Sequence, residues 1–373
     1  MVKMSSSVWR IRWWVAFLCL CACVDRIDFA IPSPNSLLVV EGMINDGPGP
    51  YTVKLSNGVS VLADTSFNNP VQQASIKLFD DEGNVEALTE TAPGVYTTGG
   101  LMQGKVGHSY YIEIETKDGK VFKSAPDRIN PVGSLEQINY SYEARTTEVN
   151  HAEASVDVFN ISVNAKAAAL GSDNYVRFRF TGTYKVTTHP ELNVFVYFTP
   201  PPNTVPDPYP CSGWVARASP LHQVSECTCC VCWVTQPEVM PTISNGELVL
   251  NNEFRGVKVG EVPINGVTFA DKYLVQVDQM SLSKAAYDFF GLIRSLKSDA
   301  TSLFQPPPGQ ARGNITAMNS TQSVVGLFWA TSINSKSVYI QKSDLPYEVP
   351  PVAIPKPCTT YANSSTSQPS FWN

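Results

Sequence analysis

The densest chemistry in this sequence is a run of thiols. Cys211, Cys227, Cys229, Cys230 and Cys232 fall within 22 residues, and a sixth, Cys358, stands near the carboxyl end. Thiolates at such short spacing either ligate zinc or pair as disulfides. The CxCCxC pattern lacks two CxxC pairs separated by a loop, although Cys227 and Cys230 do have that spacing, and His222 is the only histidine nearby. In an oxidising compartment an even set of six reads as disulfide candidates, with the connectivity left open. The neighbours Cys229 and Cys230 are expected to take different partners, because a bridge between adjacent residues strains its geometry. Neither a metal nor a cofactor is expected.

Other patterns carry less chemistry. Asp80, Asp81 and Glu82 have the residue types of a glycosidase acid pair. They run into Gly83-Asn84, however, and read as a tight turn in which Asp and Gly serve the backbone. Gly99 to Lys105 fits GxxxxGK, but Val106 stands where a magnesium-binding Ser or Thr is needed, and no helix is expected to follow. His108, His151, His189 and His222 show no ligand spacing. Neither HExxH nor GxSxG occurs, and no calcium loop is present, so no enzymatic activity is expected. Tyr209, Trp214 and Trp233 flank the thiols and could stack on sugar rings. They support the alternative of a surface glycan-binding protein or glycoside hydrolase, although packing against disulfides is the more ordinary role. With 27 Lys and Arg against 33 Asp and Glu, the net charge of −6 excludes the basic footprint of a nucleic-acid binder.

The elements that must position these residues are mainly strands. Charged residues make up 16% of the 373, Pro is 28 and Gly 23, and 43% of residues are apolar. That is neither helical-bundle nor disordered composition. Strands are expected at 36–45, 50–56, 74–79, 94–98 and 109–124, the last a hairpin with Asp118-Gly119 at its tip. A three-residue loop with Gly119 left-handed would set Ile114 opposite Phe122 and Glu113 opposite Lys123. A two-residue turn would instead mix apolar with charged partners, so the first register is preferred.

The fold class expected is all-β with one helix. An immunoglobulin-like β-sandwich over 36–128 would be followed, after a linker at Pro126–Pro131, by a larger β-rich domain over 134–350. Strands of the second domain are read at 159–163, 175–184, 193–198, 247–250, 273–277, 324–331 and 337–341. Leu282, Ala285, Ala286, Phe289, Ile293 and Leu296 recur at helical spacing, so a helix is expected over 282–298, capped by Ser281 or Ser283 and ended before Pro306-Pro307-Pro308. Six prolines between Thr199 and Pro210 exclude helix and central strand, so 199–235 reads as a Cys/Pro-rich excursion. The tail, 351–373, is expected to be irregular, with Cys358 able to tie it down.

The amino terminus supplies an address. Lys3, Arg10 and Arg12 precede nine apolar residues from Trp13 to Cys21, the layout of an export signal over 1–22. Nine is about half the ~20 residues that a spanning helix needs. Leu20-Cys21-Ala22-Cys23 then resembles a bacterial lipobox, with Cys23 as the lipidated residue and 23–35 as a linker. Cys19 and Cys21 fit worse, because Leu18 or Leu20 would fill the small slot before them. Loss of the signal removes three cations, leaving 24 against 33 acids, or −9, so the acyl chains and not surface charge must hold such a chain to a bilayer.

Several segments, in order, resemble the Bacteroidota outer-membrane lipoproteins of the domain-of-unknown-function 4249 family. They are the stretch from Cys23 to Phe29, the run from Leu38 to Leu55, Gly94-Val95-Tyr96, Tyr111-Ile112-Glu113-Ile114 with Asp118-Gly119-Lys120, Phe304 to Pro308, Arg312 to Ile315, and Gly326 to Ala330. The resemblance implies an outer-membrane accessory or binding protein, lipid-anchored on the surface or periplasmic face. It would partner a TonB-dependent receptor in nutrient uptake, and the resemblance supplies no catalytic residues.

Overall fold

Leu38, Val40 and Ile44, then Val53 and Leu55, are buried at alternate positions of their strands, as one-sided packing of a pleated sheet demands. In the computed structural model, described over residues 37–58, 69–149, 152–168, 174–198, 203–216, 221–244, 252–299 and 313–372, such strands build four main sheets. The signal at 1–22, Cys23, the 23–35 linker, His151, the strand expected at 247–250 and the prolines after the helix lie outside the described residues.

The first two sheets have six strands each. Strands Leu37–Asn45, Thr52–Asn57, Val95–Thr97 and Thr89–Ala92 run side by side in one, and Val121–Ser124, Ser109–Glu115, Ser75–Asp80 and Val85–Ala87 in the other. Between them lie fully buried Tyr96, Tyr110, Ile112 and Phe122. Each such side chain stabilises the fold by roughly 1.5–3 kcal/mol through burial. The hairpin has the preferred register, with apolar opposite apolar and acid opposite base. Ile114 faces Phe122, Glu113 faces Lys123 with Nζ to carboxylate at 2.8 Å, and Gly119 sits at φ +77°.

The division between units differs from the sequence reading. Residues 315–331, expected in the second domain, complete the first. Ser323–Thr331 pairs in parallel with Leu37–Asn45 along its full length, from Leu37 opposite Ser323 to Asn45 opposite Thr331, and Ile315–Ala317 pairs with Val121–Ser124. The physical reason is an open edge on the 37–45 strand and a near-continuous apolar segment, Val324 to Ala330, suited to a buried parallel position. Gly326 makes the close approach possible. Its φ is +124°, and a Cβ there would stand 1.8 Å from the Val40 carbonyl oxygen. Asn314 fastens the segment by donating to the Phe328 carbonyl at 2.6 Å and accepting from its N–H at 3.0 Å. Nor is 126–131 a free linker: Asp127–Arg128 pairs with the 109–115 strand, and the buried Asp127 carboxylate accepts the Ala330 N–H at 2.8 Å.

The second unit packs a three-stranded sheet (Leu135–Glu143, Val158–Lys166, Glu253–Pro263) on a larger one. In the latter Ile333–Ile340, Tyr273–Ser281, Val176–Thr187 and Val231–Pro237 lie in that order. Phe178, Phe180, Phe254 and Tyr273 fill the interior. The tail is not merely irregular. Ser364–Ser365 extends the edge of the 231–237 strand, and Trp372 is buried against Trp233 and Leu274. The helix, Lys284–Asp299, starts where Ser283 Oγ accepts the Ala286 N–H at 3.1 Å, so Ser283 is the cap. Its apolar stripe is not core of the second unit alone. Ala286 and the adjoining Leu282 pack with Met280, Leu327 and Trp329, and thus against the strand that the first unit borrows.

Candidate functional site

That shared cluster is the seam between the two sandwiches, and polar bonds lock it. The Asp46 carboxylate accepts the Ser332 hydroxyl and, at 3.0 Å, the Ile333 N–H. Ser281 Oγ accepts the Ser332 N–H at 2.9 Å and donates to the Asn130 carbonyl at 2.6 Å, while Asn130 Nδ2 donates to the Leu282 carbonyl at 3.1 Å. Asp127 lies at the same junction. Burial raises its pKa above the ordinary value, against the lowering effect of hydrogen bonds from Ser283 and the Ala330 and Arg128 backbone. A seam so fully bonded holds the facing surfaces in one arrangement.

Above the seam the two units leave an open cleft of about 660 Å³. Alternation supplies its walls. Leu38, Val40 and Ile44 point into the first core, so Val39 and Met43 face the cleft, with Leu327 and Trp329 beside them. Phe178 and Phe180 point into the second core, so Arg177 and Arg179 face the cleft from the other side. Phe289, Phe290 and Ile293 of the helix close the third wall. A side recess of 250 Å³ shares Arg177, Arg179, Phe290, Ile293 and Lys297 with the main space.

The arginines are held by partners behind them. Arg177 lies over the Phe290 ring at 4.2 Å and pairs with Glu238, both side chains largely buried. Its Nε and Glu238 Oε2 have no hydrogen-bond partner among the described residues. Buried polar atoms are seldom left so. Arg179 donates to Asp278 Oδ2 at 2.6 and 3.0 Å, and Asp278, only 2% exposed, also accepts from Ser335 and Gln276. Lys54 and Lys297 are exposed at the cleft, with Glu41 as the acid on its wall. Four cations thus meet three carboxylates in a chain that is otherwise net acidic. An apolar trough with a small cationic excess suits a ligand with an apolar body and an anionic end.

The residues singled out in the sequence lie elsewhere. All six cysteines pair, as Cys211–Cys229, Cys227–Cys230 and Cys232–Cys358, so Cys229 and Cys230 do take different partners. No group of metal-ligating residues gathers among the described residues. The three aromatics do not form one platform. Trp233 is 8% exposed and packs under Trp372, because the tail covers the strand that carries it. Trp214 and Tyr209 are half-buried in the excursion. Asp80 accepts the N–H groups of Glu82 and Asn84, which is the turn role, and Asp81 holds His108 Nδ1 at 2.9 Å. Sequence reasoning missed Arg177 and Arg179. The signal was present in Val176-Arg-Phe-Arg-Phe180, where two arginines alternate with two core phenylalanines.

Among the described residues no helix is long and apolar enough to cross a membrane. A comparison with curated proteins finds no match. Among solved structures, a DUF4785 family protein from Legionella pneumophila is 10% identical with a TM-score of 0.17, over 65% of this chain and 52% of that one. This chain therefore spans about half the length of that protein. The model of the family described as domain of unknown function, DUF4249, matches residues 24–337, and with most of its length matched the chain belongs to that family.

Proposed function

We propose that this protein is a non-enzymatic binding protein, lipid-anchored through Cys23 at the outer membrane, that serves a TonB-dependent receptor in nutrient uptake. Its ligand is an amphipathic anion with an apolar body, such as a long-chain carboxylate, taken up in the cleft between the two sandwiches. The observation that carries this reading is the lining of that cleft: Met43, Leu327, Trp329 and Phe290 beneath Arg177, Arg179, Lys54 and Lys297. The volume of about 660 Å³ falls within the roughly 300–1,000 Å³ usual for small-molecule sites. The export signal and lipobox support the address, and three disulfides are consistent with an oxidising compartment.

Calorimetric titration with hexadecanoate, with hexadecanol as the uncharged control, tests the ligand class. Hexadecanoate should bind more tightly than the alcohol. Ile293→Asp, which puts a charge on the apolar wall, should weaken binding at least tenfold, or ~1.4 kcal/mol. Lys54→Glu should weaken the carboxylate and spare the alcohol. Absence of binding, or binding indifferent to both substitutions, would remove the cleft from the account. Co-purification of the tagged protein with a TonB-dependent receptor tests the partnership, and repeated recovery as a lone monomer counts against it.

A further inference from the structure

Where the chain enters the Pro-rich excursion, the strand before it and the first strand within it form an apolar ribbon that no other part of the described structure covers. Val194–Tyr197 and Asn203–Pro206 pair as a two-stranded ribbon, with Val194 opposite Pro206 and Phe195 opposite Val205. Side chains alternate between its faces, so Val194 and Val196 lie on one and Phe195 and Tyr197 on the other. All four are exposed, Phe195 at 53% and Tyr197 at 51%, and Phe198 just beyond is 93% exposed. Neither strand carries a charge, in a chain of which 16% is charged. Exposed apolar surface of this extent marks a contact site.

The ribbon is also firmly rooted. Asp207 donates its N–H to the Asn193 carbonyl at 2.9 Å, and Asn193 Nδ2 donates to the Asp207 carbonyl at 2.7 Å. Tyr209 donates to the Pro190 carbonyl at 3.1 Å, and the Cys211–Cys229 bridge follows two residues later. The Phe195 and Tyr197 rings meet edge to face at 4.9 Å, which fixes them relative to each other. The acids nearest the ribbon in sequence, Glu191 and Asp207, flank its base.

We propose that this ribbon is a second membrane contact, which dips its aromatic and aliphatic side chains into the interfacial layer of a lipid bilayer. A partner groove covers one face of such a ribbon, whereas a bilayer interface surrounds both. The missing charge fits an apolar medium, and acids at the base favour a zwitterionic over an anionic surface. The ribbon's open edges cannot satisfy their backbone groups in hydrocarbon, so the contact is interfacial and does not span. Chain length supports this occupant, given the lipidation proposed at Cys23. The 14 residues from Cys23 to Ser36 reach at most about 50 Å, so the anchor holds the whole folded chain close to one bilayer.

The test uses the chain from residue 23 onward with Cys23→Ser, exported behind an ordinary leader, so that failure of the lipid anchor and failure of the ribbon are separable. It should co-sediment with phosphatidylcholine vesicles, and Phe195→Ser with Phe198→Ser should lower its partition coefficient at least tenfold without moving the thermal unfolding midpoint. The extra emission of Phe198→Trp should be quenched by brominated phosphatidylcholine. Three results would each overturn the proposal: no sedimentation with vesicles, unaltered partition of the double variant, or a self-association that the double variant loses while vesicle binding persists.

Discussion

Replacing both Cys232 and Cys358 with alanine should destabilise the protein more than removing either other bridge. The three disulfides close chain separations of 126, 18 and 3 residues. A cross-link restricts the unfolded chain by an amount that grows with the logarithm of the loop it closes. In the chain-entropy description these separations correspond to about 5, 3 and 1.5 kcal/mol at 25 °C. The longest loop also fastens the tail whose Ser364–Ser365 strand and Trp372 cover Trp233. Equilibrium urea unfolding of the oxidised proteins, followed by tryptophan fluorescence and far-UV circular dichroism, gives the differences from the shift in midpoint. Equal destabilisation by Cys227→Ala with Cys230→Ala and by Cys232→Ala with Cys358→Ala would refute the dependence on loop length. A loss of less than about 2 kcal/mol for the Cys232 and Cys358 pair, the lower edge of the usual range, would refute it as well.

Three further outcomes are expected. Gly326→Ala places a Cβ against the Val40 carbonyl at positive φ and should cost about 3 kcal/mol; amide exchange across Val39–Met43 should quicken, and unchanged exchange would contradict the close approach. Asp127 has a folded pKa above its ordinary 3.8, so folding takes up protons there and its contribution falls as pH rises through that window. Asp127→Asn keeps an acceptor for Ala330 and should therefore gain stability relative to the parent between pH 3 and pH 7, read from thermal unfolding; a gain larger at pH 3 would reverse the sign. Glu261 is held down to about 2 by hydrogen bonds from Arg145 and Lys258, so its stabilisation is present above its ordinary 4.5 and lost as pH falls towards 2. The cluster is solvent-exposed, so Glu261→Gln should flatten the acid limb of the urea midpoint only modestly, and an unchanged limb would argue against the pairing.

Local features were legible in the sequence, and non-local ones were not. The register of the 109–124 hairpin follows from a turn and two cross-strand pairs, all within sixteen residues. The helix start follows from Ser283 and an apolar stripe. The parallel placement of 323–331 beside 37–45 joins residues 286 apart, such as Leu37 and Ser323, and nothing in an apolar strand names its partner. Packing is the more ordinary reading of Trp233, and its burial agrees, but its cover could not be named for a similar reason: Trp372 arrives from the end of a Ser- and Thr-rich tail. The cleft was invisible because it exists only once the outer faces of two sheets and one helix are brought together across the seam. Even so, Arg177 and Arg179 stood at the alternating positions that such a face requires.

Lipidation of Cys23 is the premise of the proposed function, and the intact mass of the protein recovered from the cells that make it tests this most directly. The predicted species begins at Cys23 and carries covalent lipid on that residue. A chain beginning at Met1, or a mature chain whose Cys23 bears no acyl group, would contradict it.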